Sequence, residues 1–164
     1  MVAAEPTVER VQTAQPARRQ FWGTLGYSRS SPLVPYTAMD GPTYVATLTS
    51  HLLPLLGARG LQFQQDNAPA HRSRIAAAFL AAHRVRVLAW PPFSPDLSII
   101  ENVWGEVKRI VKGKRALTTG QIEHQTRLAW RKVTSDRRYV AALFGSIPSR
   151  LQEVLDRKGK AIDC

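Results

Sequence analysis

Two short strand-like runs, residues 61–66 (LQFQQD) and 85–90 (VRVLAW), are separated by little more than one alanine-rich helical stretch. No other feature of the 164-residue sequence constrains the fold as strongly. Strands joined through a helix pair in parallel, so the segment predicts a β-α-β unit and an α/β fold. The intervening helix is expected over about residues 73–83, opened by Ser73 and rich in alanine. Upstream, FWGTLGYS and SPLVPYTA are aromatic and β-branched runs around a serine-rich turn, the pattern of a hairpin. Between hairpin and β-α-β unit, DGPTYVATLTSHLLPLL places Tyr44, Val45, Leu48, Leu52 and Leu55 at helical spacing behind an Asp-Gly-Pro start, with Pro54 expected to kink or end the helix.

The strongest helical pattern is SPDLSIIENVWGEVKRIVKGK. Ile99, Val103, Val107 and Ile110 fall on one narrow arc that Trp104 and Val111 widen, so this face must pack. Glu101 lies just beyond that arc, on a stripe with Gly105, Lys108 and Lys112. Trp22, Trp90, Trp104 and Trp130 each sit in apolar surroundings and are expected in the core rather than stacked on bases.

Asp66 and Glu101 are the candidate chemistry. Asp66 continues the spacing of Gln62 and Gln64 and so is expected at the C-terminal end of its strand. Its ordinary role is the first residue of an Asx turn before Pro69. Glu101 has an ordinary role too: Ser98-Ile99-Ile100-Glu101 is a capping-box pattern. Brought together from a strand end and a neighbouring helix, the two carboxylates can share Mg²⁺ or Mn²⁺ and support phosphoryl transfer. His71, five residues beyond Asp66, is a possible accessory group beside the metal or a phosphate.

The net charge of +11 makes nucleic acid the leading partner. The excess is uneven: residues 102–160 hold 14 Lys or Arg against 5 Asp or Glu. Lys108, Lys112, Lys114 and Arg115 are the candidate phosphate contacts, with a merely solvated face as the alternative. The single cysteine, Cys164, excludes an intrachain disulfide and a cysteine zinc cluster. MVAAEPTVERVQ lacks the pattern of a secretion signal and no long apolar run exists, so an intracellular protein without a membrane span is expected.

FQQDNAPAH followed by VRVLAWPPFSPDLSIIENVWGEVKRIV resembles the catalytic domain of mariner-superfamily DDE transposases, particularly the Sleeping Beauty-like branch. Thirty-four residues separate Asp66 from Glu101, the spacing of that branch's second and third acids. FWGTLGYSRSSPLV resembles the family's Trp-Gly hairpin and IPSRLQEVLDRKG its closing helix, so the likeness runs from about Phe21 to Gly159. It implies a ribonuclease H-like fold, Asp66 and Glu101 as catalytic metal ligands, Mg²⁺ or Mn²⁺ as cofactor, DNA and either a second copy of itself or a full-length transposase subunit as partners, and a location in the nucleus or otherwise inside the cell with DNA.

The resemblance also implies a first aspartate on an opening strand before the hairpin. The acids preceding Asp66 are Glu5, Glu9 and Asp40; the first two lie in a polar segment and the third at a helix start. The expectation is therefore a flexible basic arm over 1–20 and a ribonuclease H-like domain over 21–164, incomplete at its N-terminus, with an exposed sheet edge. The family's paired helix-turn-helix domains have no counterpart either, and Ser98-Ile99 replaces its usual Asn-Pro. Such a chain is expected to be inactive as a transposase by itself; the alternative is a remnant that binds DNA or a transposase subunit without cutting.

Overall fold

The computed structural model describes residues 19–57, 61–92, 94–114, 118–160 and 162. The expected arm over 1–20 thus lies almost wholly outside the described residues, as does Arg115. The hairpin forms as β1 (Gln20–Trp22) and β2 (Val34–Tyr36), antiparallel with Phe21 opposite Pro35. Gly26 N–H donates to Arg29 O at 2.8 Å and closes the tip.

Helix α1 (Gly41–Thr47) starts where Asp40 accepts a 2.8 Å bond from Thr43 N–H, and Pro42 occupies the first turn, where no N–H is needed. Ahead of Pro54 the regular α-helix is interrupted, while the helical path continues. The chain widens into a π-turn over Leu48–Leu52 and resumes as α2 (Leu53–Leu56), with Pro54 in the first turn of the new segment. The wider turn removes the demand for the missing proline N–H.

The β-α-β unit is present as β3 (Gln62–Phe63), α3 (Arg74–Ala82) and β4 (Arg86–Val87), and the strands are parallel, Phe63 opposite Val87. Ser73 caps α3 as its sequence suggests. Both strands are shorter than expected: pairing ends at Leu88 N–H, which donates to Phe63 O at 2.9 Å, and residues 89–90 run on unpaired to Pro91. Asp66 therefore stands three residues past the strand end rather than on it.

A short 3₁₀ turn (Pro95–Leu97) leads into α4 (Ile99–Lys112), followed by α5 (Thr119–Ser135), α6 (Arg137–Gly145) and α7 (Ile147–Asp156). Thr118 and Gln121 form a reciprocal capping box at α5, and Asp136 caps α6. The apolar arc of α4 packs on α5, with Val103 and Val107 buried as its periodicity demands.

Two apolar clusters result, and the hairpin divides them. Trp22 joins Tyr44, Leu48, Leu52, Phe63 and Leu80; the adjacent Phe21 packs with Leu33, Val103, Val107, Trp130 and Val133. Successive strand residues face opposite sides, so one three-residue strand serves both. Trp130 fixes the second cluster to the hairpin, its Nε1–H donating to Ser31 O at 2.9 Å across 99 residues of sequence. Of the four tryptophans, Trp22 and Trp130 are buried and Trp90 and Trp104 half-buried.

Candidate active site

The chain leaving β3 carries Gln64, Gln65 and Asp66, and each side chain has a defined partner. Tyr44 Oη donates to Gln65 Oε1 at 2.5 Å, tying the post-strand segment to α1. Ser98 Oγ lies 3.5 Å from Gln64 Oε1 and faces it across the start of α4. Asp66 makes the Asx turn, its Oδ1 accepting Ala68 N–H at 3.0 Å. The same oxygen lies 2.6 Å from His71 Nδ1. Asn67 Nδ2 donates to Trp90 O at 3.4 Å and joins the turn to the segment after β4.

His71 is held from a second side. Its ring stacks on Tyr44, with centroids 4.1 Å apart and planes at 29°. Tyr44 is buried, and burial first, then the neighbouring Asp66 charge, push its phenol well above the usual range. Tyr36 is raised for the same two reasons in the same order. The Asp66 carboxylate is itself 72% exposed, so it combines a fixed oxygen with an open approach.

Glu101 occupies the first turn of α4, exposed, with Gly105, Lys108 and Lys112 exposed further along the helix. The capping box expected at Ser98 is not formed. Ser98 N–H donates to Pro95 O at 2.9 Å, its hydroxyl faces Gln64, and no side-chain cap bond is made. Two backbone and side-chain demands on Ser98 thus win over the local motif, and the Glu101 carboxylate is left to the solvent side. Arg150 of α7 donates to Asp96 O at 2.9 Å, and Asp96 Oδ2 accepts Ile162 N–H at 3.0 Å, so the C-terminal helix anchors the loop that aims α4.

Asp66, His71 and Glu101 line one cleft of about 800 Å³, together with Gln65 and Ser98. A shallower groove of about 400 Å³ lies on the other side of Glu101, over Asn102 and Gly105. Lys108, Lys112 and Lys114 are exposed but line neither cavity. Among the described residues, no three His, Cys, Asp or Glu side chains converge as a metal site. The donor type nonetheless suits Mg²⁺ or Mn²⁺, which take oxygen ligands and are commonly held by one or two carboxylates, with water and phosphate completing the shell. The sequence gives Tyr44 only a core role and marks Gln65 and Arg150 not at all, because the partners that bring these three to the site lie far along the chain.

The profile of a family described as DDE superfamily endonuclease matches residues 35–122. The chain is 36% identical over 142 residues to the Tcb1 transposable-element transposase of Caenorhabditis briggsae, covering 84% of this chain and 51% of that protein. It is 37% identical over 103 residues to the Tc1 transposase of Caenorhabditis elegans, covering 63% of this chain and 37% of the relative. The chain thus spans about half, or less, of these relatives' length. In fold it is similar to the Mos1 mariner transposase catalytic domain, with a TM-score of 0.70 at 15% identity over 89% of this chain and 82% of that one. The Mos1 paired-end complex with Mg gives a TM-score of 0.76 at 17% identity, over 99% of this chain and 51% of that one. The ribonuclease H-like α/β architecture expected from the sequence is the one found.

Proposed function

This chain belongs to the DDE superfamily endonuclease family, among the relatives of Tc1/mariner transposases, and from that premise we propose that it is a DNA-binding transposase domain whose described residues, holding two metal-binding carboxylates, do not cut DNA unaided. Asp66 and Glu101 are its metal ligands. One observation carries the reading: the two acids reach a common cleft from separate elements, while no third carboxylate among the described residues joins them.

Each side chain has a task in this reading. His71 fixes one oxygen of Asp66, and the second would be available to hold a cation. Glu101, free of capping duty, supplies the other carboxylate. A bound Mg²⁺ or Mn²⁺ supplies Lewis-acid stabilisation of phosphoryl oxygens. Two carboxylates suffice for one such ion with phosphate and water, but leave a second ion poorly held, and a two-ion displacement needs both. Lys108 and Lys112, on the same helix as Glu101, meet the phosphate backbone, and Lys114 extends that basic run. A DNA-associated, nuclear location follows from the same reading.

The test is calorimetric titration of the full chain with Mn²⁺, with and without a generic DNA duplex, alongside Asp66→Asn and Glu101→Gln and a nicking assay. The expected result is weak binding, strengthened by DNA, lost in both variants and accompanied by no nicking. Metal-dependent nicking abolished by Asp66→Asn would overturn the inactivity; Mn²⁺ binding unchanged in both variants would overturn the ligand assignment.

A further inference from the structure

Three of the four tryptophans are accounted for by packing. Trp22 is buried in the first apolar cluster and Trp130 in the second, where half-buried Trp104 lies against it with ring centroids 4.9 Å apart. Trp90 joins neither cluster, and its indole meets no other aromatic ring among the described residues. The apolar run that marks it as a core residue lies at the surface instead: residues 86–89 are all exposed. Trp90 itself is half-buried and lines the cleft together with Asp66, His71 and Glu101.

Its position is fixed by the backbone around it. Asn67, the residue after Asp66, donates from Nδ2 to Trp90 O at 3.4 Å, which ties the backbone at Trp90 to the turn that carries the acid. Pro91 follows, and a residue before proline is confined to extended conformations. Pro91 and Pro92 also lack the N–H that would continue a ladder beyond Leu88. The indole therefore stands on a short, stiff segment and loses little freedom when its face is covered.

A flat aromatic face open to a cleft is suited to another flat π-system. On the DNA-binding reading above, on which this inference rests, the flat groups that arrive with phosphates are nucleobases. Bases inside an intact duplex are already stacked on their neighbours, so only an unpaired base can present its face to the indole. We propose that Trp90 is a stacking platform for an unpaired nucleobase of a strand entering the cleft beside Asp66, so that the chain prefers DNA with unpaired bases to continuous duplex. Stacking tolerates every base, so the preference is for the unpaired state rather than for a sequence. It requires no metal at Asp66 and Glu101.

The full 164-residue chain is titrated by fluorescence anisotropy, in EDTA, with a blunt duplex, the same duplex bearing a short single-stranded overhang, and a third whose overhang is abasic. Trp90→Ala and Trp90→Phe are compared with the parent, with melting temperature as the check on folding. The parent is expected to prefer the ordinary overhang to both other duplexes by about tenfold. That preference is expected to vanish in Trp90→Ala and to be largely kept in Trp90→Phe, with blunt-duplex affinity unchanged within about twofold throughout. A 2-aminopurine base in the overhang is expected to be quenched by the parent and not by Trp90→Ala. Equal binding of the ordinary and abasic overhangs by the parent, or a preference that survives Trp90→Ala, would overturn the platform while leaving DNA binding intact. Failure of the parent to bind any of the three duplexes would overturn the DNA-binding reading and the platform with it. If Trp90→Ala does not fold, the abasic comparison in the parent decides by the same criterion.

Discussion

His71 Nδ1 and Asp66 Oδ1 lie 2.6 Å apart, and the imidazole is pressed between this contact and the buried ring of Tyr44. One oxygen of an exposed carboxylate is therefore fixed by a ring that is itself immobilised, the arrangement by which outer groups orient a metal ligand. His71→Ala is expected to weaken Mn²⁺ binding by about tenfold while leaving the fold intact. His71→Asn, which keeps a donor near the position of Nδ1, is expected to recover part of that loss, as calorimetry on both variants will show.

Glu101→Gln separates helix capping from chemistry. Because Ser98 N–H is taken by Pro95 O and no capping box forms, the variant is expected to match the parent's stability within about 0.5 kcal/mol in urea denaturation, yet lose Mn²⁺ binding. A larger stability loss would return Glu101 to a structural role.

Gly23 and Trp130 are coupled by distance. A Cβ on Gly23 would sit 2.8 Å from Trp130 Cζ2, so Gly23→Ala is expected to cost about 1–3 kcal/mol by overpacking. Trp130→Phe loses the bond to the buried Ser31 carbonyl and costs about 1–3 kcal/mol as well. The phenyl ring lacks the clashing atom, so the double variant is expected to be more stable than the sum of the two losses predicts, a double-mutant cycle being the measurement.

Alkaline pH will destabilise the fold through Tyr44, and to a smaller extent Tyr36. Their phenols titrate higher in the folded chain than unfolded, so the stabilisation is complete below the ordinary tyrosine range and is lost as pH rises from about 10 toward the raised folded values. Tyr44→Phe is expected to lower stability near neutrality, because Gln65 loses its partner, and to flatten the decline above pH 10. Melting temperature against pH for both chains gives the comparison.

On the proposed function, DNA affinity is expected to depend steeply on salt. If Lys108 and Lys112 meet phosphates, each change to alanine is expected to weaken binding to unrelated duplexes alike and to reduce the slope of log affinity against log salt by about 1. Fluorescence anisotropy across a salt series reads both effects.

Much of this molecule is legible in its sequence because the relevant signals are local. Ser73 caps α3, the arc of Ile99, Val103, Val107 and Ile110 packs, and two runs joined by one helix pair in parallel. Other expectations were settled by neighbours that no window of sequence contains. Pro54, expected to kink or end its helix, is preceded by a π-turn over Leu48–Leu52 that interrupts the α-helix, and it then sits in the first turn of α2. The pairing of residues 85–90 was expected to be longer, but ended at Leu88.

The sequence by itself determined the order of hairpin, helix, strand, helix and strand and the packing face of α4, since propensity and period depend only on near neighbours; the pairing of Asp66 with Glu101 was implied only by the family resemblance. Tertiary structure alone decided what each polar group bonds. Asp66 keeps its local Asx turn yet gains His71 on the Tyr44 ring, Ser98 abandons a local cap, and Trp130 reaches Ser31 across 99 residues. A donor or acceptor chooses among all partners that packing brings within about 3 Å, and that choice is made only once the chain has folded.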